Sequence, residues 1–320
     1  MRHLALFAAL TLVAAACNTA TDPADPALGE AAAPEASQGR PDLREARADL
    51  IRAGNDVSAA IGSEGIVAGL GGAFTSNGLL LSPRRPTIEG REAATTFLAG
   101  DPNAPSAMQW EVIVADVSAD ADQGYTWAQG TTTIDLGAGP TIIPSFYLAY
   151  WRRTDTGRWR IAALVFNLGG PQSLPLPDGF GTPDRRHRRS YPGTRGEFRQ
   201  ELLATDAAFS AASVSDGVGP AFERYAAPNA IAVGGGFVFG PEAIGEAFTG
   251  GADDVVSWEP RFAGAAGSGD LGFTVGDAVF DIPGVGMFYT KYLTVWQRQQ
   301  DTKEWRFVAD LGSSRPAPAT

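Results

Sequence analysis

The chain holds two histidines, His3 and His187, and a single cysteine, Cys17, and their positions exclude most familiar chemistry. His3 lies among the first residues and His187 inside the basic run Arg185-Arg-His-Arg-Arg189, so neither globular segment contains an imidazole. Ser-His-Asp triads, His-ligated zinc and an imidazole acid–base step are therefore ruled out. One cysteine at the N-terminal end supports no disulfide framework, thiolate nucleophile or thiolate metal site in the folded part. No Gly-x-Ser-x-Gly elbow is present, and Gly267-Ser-Gly269 reads as a turn before a strand. Gly234-Gly-Gly236 has no Lys-Ser/Thr after it and opens no long helix, so it reads as a hairpin turn rather than a phosphate loop. Carboxylates and phenols remain, and a carboxylate becomes a useful base near neutral pH only where apolar walls raise its pKa. No cofactor and no metal are expected.

The elements that would build such walls occur twice. Phe146-Tyr-Leu-Ala-Tyr-Trp-Arg-Arg through Trp159-Arg-Ile-Ala-Ala-Leu164 parallels Phe288-Tyr-Thr-Lys-Tyr-Leu-Thr-Val-Trp through Trp305-Arg-Phe-Val-Ala-Asp310. Each reads as two aromatic, β-branched strands joined by a polar turn. Asp42-Leu-Arg-Glu45 and Thr194-Arg-Gly-Glu197 have capping-box spacing. Apolar positions Leu43, Ala46, Leu50, Gly54, Val57 and Ile61, and in the second copy Phe198, Leu202, Thr205, Phe209 and Ala212, predict an amphipathic helix at the start of each. Shorter helices, a short buried strand at Asn77-Gly-Leu-Leu-Leu81 or Asn229-Ala-Ile-Ala-Val233, third helices near Glu89 and Phe239, and long strands anchored by Trp110 and Trp258 follow in the same order. The predicted class is α+β: two tandem cone-shaped domains, each with three helices packed in a curved antiparallel sheet. The first spans 41–167 and the second 194–314, with a Pro/Gly/Arg linker at 168–193 and a tail at 315–320.

Met1-Arg-His followed by an apolar run ending at Ala14-Ala-Ala-Cys17 is too short to span a bilayer and fits a secretory signal. It resembles a bacterial lipoprotein signal, which implies cleavage before Cys17, a lipid on that cysteine and a membrane-anchored, periplasm-facing location in the cell envelope. Asn18 in place of Asp leans towards the outer membrane on the same resemblance. Residues 18–40, rich in Ala and Pro, read as a disordered tether. A net charge of −11 argues against nucleic acid as a partner. The linker's Arg185–Arg189 run reads as a solvated segment, with contact to anionic headgroups as the alternative.

Ser215-Asp-Gly217, Phe222-Glu-Arg-Tyr225, Gly240-Pro-Glu-Ala-Ile244, Trp258-Glu-Pro260, Gly269-Asp-Leu-Gly-Phe-Thr274, Tyr292-Leu-Thr-Val-Trp296 and Trp305-Arg306 together resemble the nuclear transport factor 2-like superfamily. Within it they are similar to the SnoaL-like and ketosteroid-isomerase-like bacterial domains. The resemblance covers 197–312 and, more faintly, 42–167. It implies an Asp at the inner end of the cone as general base, and Asp310, late on the last strand, takes that place, with Tyr292 as a catalytic partner. Its counterpart in the first copy is Leu164. Tyr225, Trp258, Arg261, Asp277 and Tyr289 are the residues expected to share the second cavity, and Trp110, Tyr125, Trp127, Gln129, Tyr147 and Tyr150 the first.

Two functions follow. In the leading one, an envelope lipoprotein binds a small apolar ligand or a protein partner without catalysis, and the two copies dock through their sheets as an internal pseudo-dimer or form a homodimer. In the alternative, Asp310 and a cavity tyrosine of the second domain catalyse a His-free isomerisation, cyclisation or hydrolysis of a hydrophobic small molecule. A purely structural second domain is the third reading.

Overall fold

Helix α1 (Leu43–Glu64) starts where the Asp42 carboxylate accepts the Arg44 N–H at 2.9 Å, satisfying one of the free amides of the first turn. It opens the first half of the chain in the computed structural model, which describes residues 41–169, 176–251 and 253–318. The expected signal, the lipidation site Cys17 and the tether at 18–40 lie outside the described residues. After α1 come α2 (Ile66–Gly69), β1 (Phe74–Leu81), β2 (Ile88–Glu89) and α3 (Arg91–Gly100). Four long strands complete the half: β3 (Ala107–Val117), β4 (Gln123–Asp135), β5 (Pro140–Arg153) and β6 (Trp159–Leu168).

The second half repeats this order. Helix α4 (Arg195–Asp216) begins with a full capping box between Thr194 and Glu197. It is followed by α5 (Val218–Tyr225), β7 (Ala226–Val233), β8 (Phe237–Phe239) and α6 (Pro241–Phe248), then β9 (Val255–Ala265), β10 (Leu271–Ile282), β11 (Gly286–Arg298) and β12 (Trp305–Ser314). The strand orders are β2-β1-β6-β5-β4-β3 and β8-β7-β12-β11-β10-β9, two separate six-stranded sheets. The long strands of each sheet run antiparallel, as the predicted cones require, and each sheet as a whole is mixed. In each, β1 pairs with β6 or β7 with β12 in parallel, because the short strand enters the sheet beside the last strand of the meander. Register shifts in β3, β6, β9 and β12 are the bulges that bend each sheet around its long helix. The result is two tandem α+β cones.

Strand alternation gives each sheet two faces. On β5, Tyr147, Ala149 and Trp151 belong to the core under α1, whereas Phe146, Leu148 and Tyr150 belong to an apolar layer shared with the second half. In that layer Tyr150 packs on Phe273 at 4.6 Å, and Phe237 meets Phe146 at 4.5 Å and Trp127 at 5.2 Å. Polar contacts close its edge: Gln123 Nε2 donates to Ala265 O at 2.8 Å and Ser268 N to Asp120 Oδ2 at 2.7 Å.

The linker corrects the expectation of a solvated basic run. Arg188 is 5% exposed and bridges Asp116 of β3 to Asp270 of the β9–β10 turn, reaching the latter at 3.1 Å. Arg47 of α1 and Arg185 also hold Asp116, each at 2.8 Å. Burial alone would raise the Asp116 carboxyl, but the guanidiniums of Arg188, Arg185 and Arg47 hold it well below the usual carboxylate range. Within a run that is soluble in isolation, Arg188 is buried and Arg185 half-buried because carboxylates from both halves converge on them. His187 between these arginines is exposed.

Candidate functional site

The centre of the second cone is Phe209 of α4, ringed by Trp258 at 4.5 Å, Phe222 and Tyr225 at 4.8 Å, and Phe307 at 5.7 Å. Two carboxyls stand among these rings. Asp206, one helical turn before Phe209, is fully buried and accepts hydrogen bonds from Trp258 Nε1 and Tyr292 OH, both at 2.8 Å. Asp310 on β12 is 8% exposed and accepts from Thr294 Oγ1 at 2.6 Å. Neither carboxyl is in an ion pair among the described residues. Trp296 Nε1 donates to Thr274 Oγ1 at 2.8 Å, which fixes the hydroxyl beside Asp206.

An ionised carboxylate in such surroundings is poorly solvated, and the group responds by holding its proton. Burial pushes Asp206 up to about 6, against the opposing pull of hydrogen bonds from Thr274, Tyr292 and Trp258. Burial, reinforced by the charge of Asp206, pushes Asp310 up to about 7, with only Thr294 opposing. The Tyr292 phenol, buried beside these acids, is held well above its ordinary value. Between about pH 6 and 7 Asp206 is therefore ionised while Asp310 keeps its proton. Gly276 makes this arrangement possible, since a Cβ there would lie 2.5 Å from Tyr292 Oη and 2.2 Å from Glu259 O.

The first cone keeps the aromatic frame and lacks both acids. Trp110 N donates to Ser58 Oγ as Trp258 N does to Ser210 Oγ, and Trp151 Nε1 donates to Thr126 as Trp296 does to Thr274. Where Trp258 finds the Asp206 carboxylate, Trp110 Nε1 finds the backbone oxygen of Gly54 at 3.0 Å. A Cβ on Gly54 would sit 2.6 Å from Val112 Cγ2, so the helix is too close to β3 for a side chain. Leu164 stands at the position of Asp310 and Ala149 at that of Thr294, both in the apolar core. Tyr147, equivalent to Tyr292, turns instead to Thr132 Oγ1 at 2.9 Å and Thr131 O at 2.6 Å.

Of the residues expected in the second cavity, Asp310, Tyr292, Tyr225 and Trp258 come together in the cone. Arg261, Asp277 and Tyr289 do not. Asp277 shares its strand face with Phe273 and Val275, which pack towards the first half, and it pairs with Arg261 and Arg315, each at 3.3 Å. Tyr289 lies under the Arg315 guanidinium. In the first half Trp110 and Tyr147 face α1, but Tyr125, Trp127 and Tyr150 belong to the layer between the halves. Both sheet faces are buried, so aromatic character alone did not distinguish inner from outer positions. Gln129, half-buried, leaves its Oε1 unpartnered among the described residues. Asp206 was missed because Thr205 and Asp206 fit the spacing between Leu202 and Phe209 equally well, and the more apolar residue was assigned inward. Two hollows, of about 480 and 610 Å³, lie outside the cones: one beside Arg224, Pro228 and Arg306, the other beside Ser76, Glu92 and Phe97.

No protein-family model matches the chain, and no curated protein matches it. Solved structures that resemble one half include a ketosteroid isomerase-like protein from Erwinia carotovora atroseptica, at 21% identity and a TM-score of 0.34, covering 40% of this chain and 100% of that one. A nuclear transport factor 2-like protein of unknown function from Pseudomonas putida is 16% identical with a TM-score of 0.32, covering 40% and 92%. A nuclear transport factor 2-like superfamily protein from Salmonella enterica is 15% identical with a TM-score of 0.32, covering 39% and 96%. These likenesses concern fold alone; the chemistry of the site stands on this chain's own residues.

Proposed function

We propose that the second half is the working half, a cone that takes a small, uncharged, largely apolar molecule and moves a proton on it through a buried carboxyl group. The observation that carries this reading is the pair Asp206 and Asp310, two buried carboxyls with no cation in ion-pair range among the described residues, replaced by glycine and leucine in the otherwise similar first cone. A structural role does not account for them, because an unpaired buried carboxylate opposes folding and an apolar residue of similar volume relieves the cost, as Leu164 does. In this reading Asp310, ionised as pH rises through about 7, is the proton acceptor, and Asp206 holds Tyr292 and Trp258 in place beside it. The first half is a scaffold, docked through its sheet as an internal pseudo-dimer.

The same proposal places the protein at a membrane, with lipid on Cys17; the Ala14-Ala-Ala-Cys17 pattern supports this. Mass analysis of the N-terminal peptide from membranes, with Cys17→Ala losing the lipid, tests it.

For the site, the full chain is incubated in deuterated buffer with a fused-ring β,γ-unsaturated ketone, and exchange and conjugation are followed by NMR and ultraviolet absorbance. Turnover with an inflection near pH 7, abolished by Asp310→Asn without loss of fold, is the expected result. A wild type that neither binds nor turns over the ketone, and whose Asp206 and Asp310 titrate like exposed carboxyls, would sink the reading.

A further inference from the structure

Strand β11 presents different residues to its two sides. Tyr292, Thr294 and Trp296 face α4, and each donates one hydrogen bond into the site: Tyr292 OH to Asp206 at 2.8 Å, Thr294 Oγ1 to Asp310 at 2.6 Å and Trp296 Nε1 to Thr274 at 2.8 Å. The alternate residues Lys291, Leu293, Val295 and Gln297 face the first half. Leu293 and Val295 are wholly buried in the layer between the halves. At one end of this stretch the Lys291 ammonium, fully buried, donates to Ser82 O just after β1 at 2.7 Å and to Ser314 O at 2.8 Å. At the other end Gln297 Nε2 donates to Asp116 Oδ2 of β3 at 3.2 Å. Asp116 is in turn gripped by Arg47, Arg185 and Arg188.

We propose that Lys291 and Gln297 are positioning residues for the site in the second cone, through which the first half and the linker set the placement of all three donors on β11. This rests on the reading of that cone as the working site. The two residues bracket the donor-bearing stretch, so a shift at either end is passed along the strand to Tyr292, Thr294 and Trp296. Donors must be held within about 0.5 Å of a productive geometry to matter chemically, and a strand with one face packed only by aliphatic contacts can slide or twist by more than that. Lys291 is otherwise hard to rationalise. Its ammonium is buried with no carboxylate in ion-pair range among the described residues; Asp277, the nearest acid acting on it through space, is already paired with Arg261 and Arg315. Desolvating an ammonium for two backbone carbonyls is a poor way to gain stability and a good way to fix register. The first half thus contributes to the site without touching it.

The test reads the titration of Asp206 and Asp310 by carbon-13 NMR of the carboxyl groups in the full chain, comparing wild type with Lys291→Met and Gln297→Leu. The ionisable groups facing this pair are each other and Tyr292, with Asp277 acting on Tyr292 from the opposite face of the sheet. Withdrawing a donor from a carboxylate disfavours the ionised form, so both variants are expected to raise the midpoint of Asp310, Asp206 or both by about half to one pH unit. Circular dichroism should stay native. Gln297→Leu removes no charge, so its shift reports donor placement alone, and it carries the test if Lys291→Met fails to fold. Lys291→Arg, which still offers donors to Ser82 O, should restore the wild-type midpoints. Folded variants whose midpoints match wild type overturn the positioning role. A wild type whose Asp206 and Asp310 titrate in the ordinary carboxylate range overturns instead the reading of the site beneath it.

Discussion

At the scale of single residues, the unpaired carboxyls make a signed prediction. Asp310 titrates higher in the folded chain than in the unfolded one, so its contribution to stability is present at low pH and is lost as pH rises through about 7. Asp310→Asn lacks that loss. Its stability should match wild type near pH 4 and exceed it by roughly 2–4 kcal/mol above pH 8, read by urea unfolding at the two pH values. An equal difference at both would show that the carboxyl is not desolvated. Gly276→Ala drives a methyl against Tyr292 Oη and Glu259 O. It should cost about 1–3 kcal/mol and remove the Tyr292–Asp206 hydrogen bond, seen as a rise in the Asp206 midpoint.

Among the elements, the linker is the one whose role departs furthest from its composition. Arg188 joins Asp116 to Asp270, and backbone oxygens of the same stretch accept bonds from the first helix, Arg186 O from Leu43 N at 3.0 Å and Arg185 O from Arg47 Nη1 at 2.5 Å. Protease cleavage needs a segment that can leave its bed, so trypsin should spare this basic run in the native chain. Arg188→Ala leaves two buried carboxylates short of a partner and should cost about 3–5 kcal/mol, with cutting at Arg185–Arg189 appearing under conditions where wild type stays intact. Rapid cutting of the wild type there would contradict a clasped linker.

For the whole molecule, the halves share one apolar layer and one ionic clasp, so unfolding either exposes the other. A single calorimetric transition, with van't Hoff and calorimetric enthalpies equal, is expected; two separated transitions would show independent domains. Within the clasp, Asp116 pulls stability in the opposite direction with pH from the acids of the cone. Asp116, held below the usual carboxylate range, contributes stability that is present above about pH 4 and is lost as pH falls further, whereas Asp206 and Asp310 withdraw theirs as pH rises through about 6 and 7. The denaturation midpoint should therefore peak on the acid side of neutrality, between about pH 4 and 6, and an optimum above pH 7 would refute this balance.

What the sequence determined by itself was the unit and its repetition: capping residues, helical stripes, paired Trp-bearing strands and the absence of imidazole and thiol from both copies are local properties, and local properties survive without tertiary context. Tyr292, Asp310 and Trp258 were legible as inward residues because they fall in order within that unit. The tertiary structure decided the rest. Each sheet is covered on one face by its helix and on the other by the opposite sheet, so its strands are apolar on both sides: alternation puts Tyr147 and Tyr150 on opposite faces, but nothing local tells which face looks into the cone. Asp206 and Arg188 carry charges that in a linear reading belong to solvent. Their burial depends on partners far along the chain: Trp258 and Tyr292, which the folding of the second cone brings within reach of Asp206, and Asp116 and Asp270, which the packing of the halves brings to Arg188.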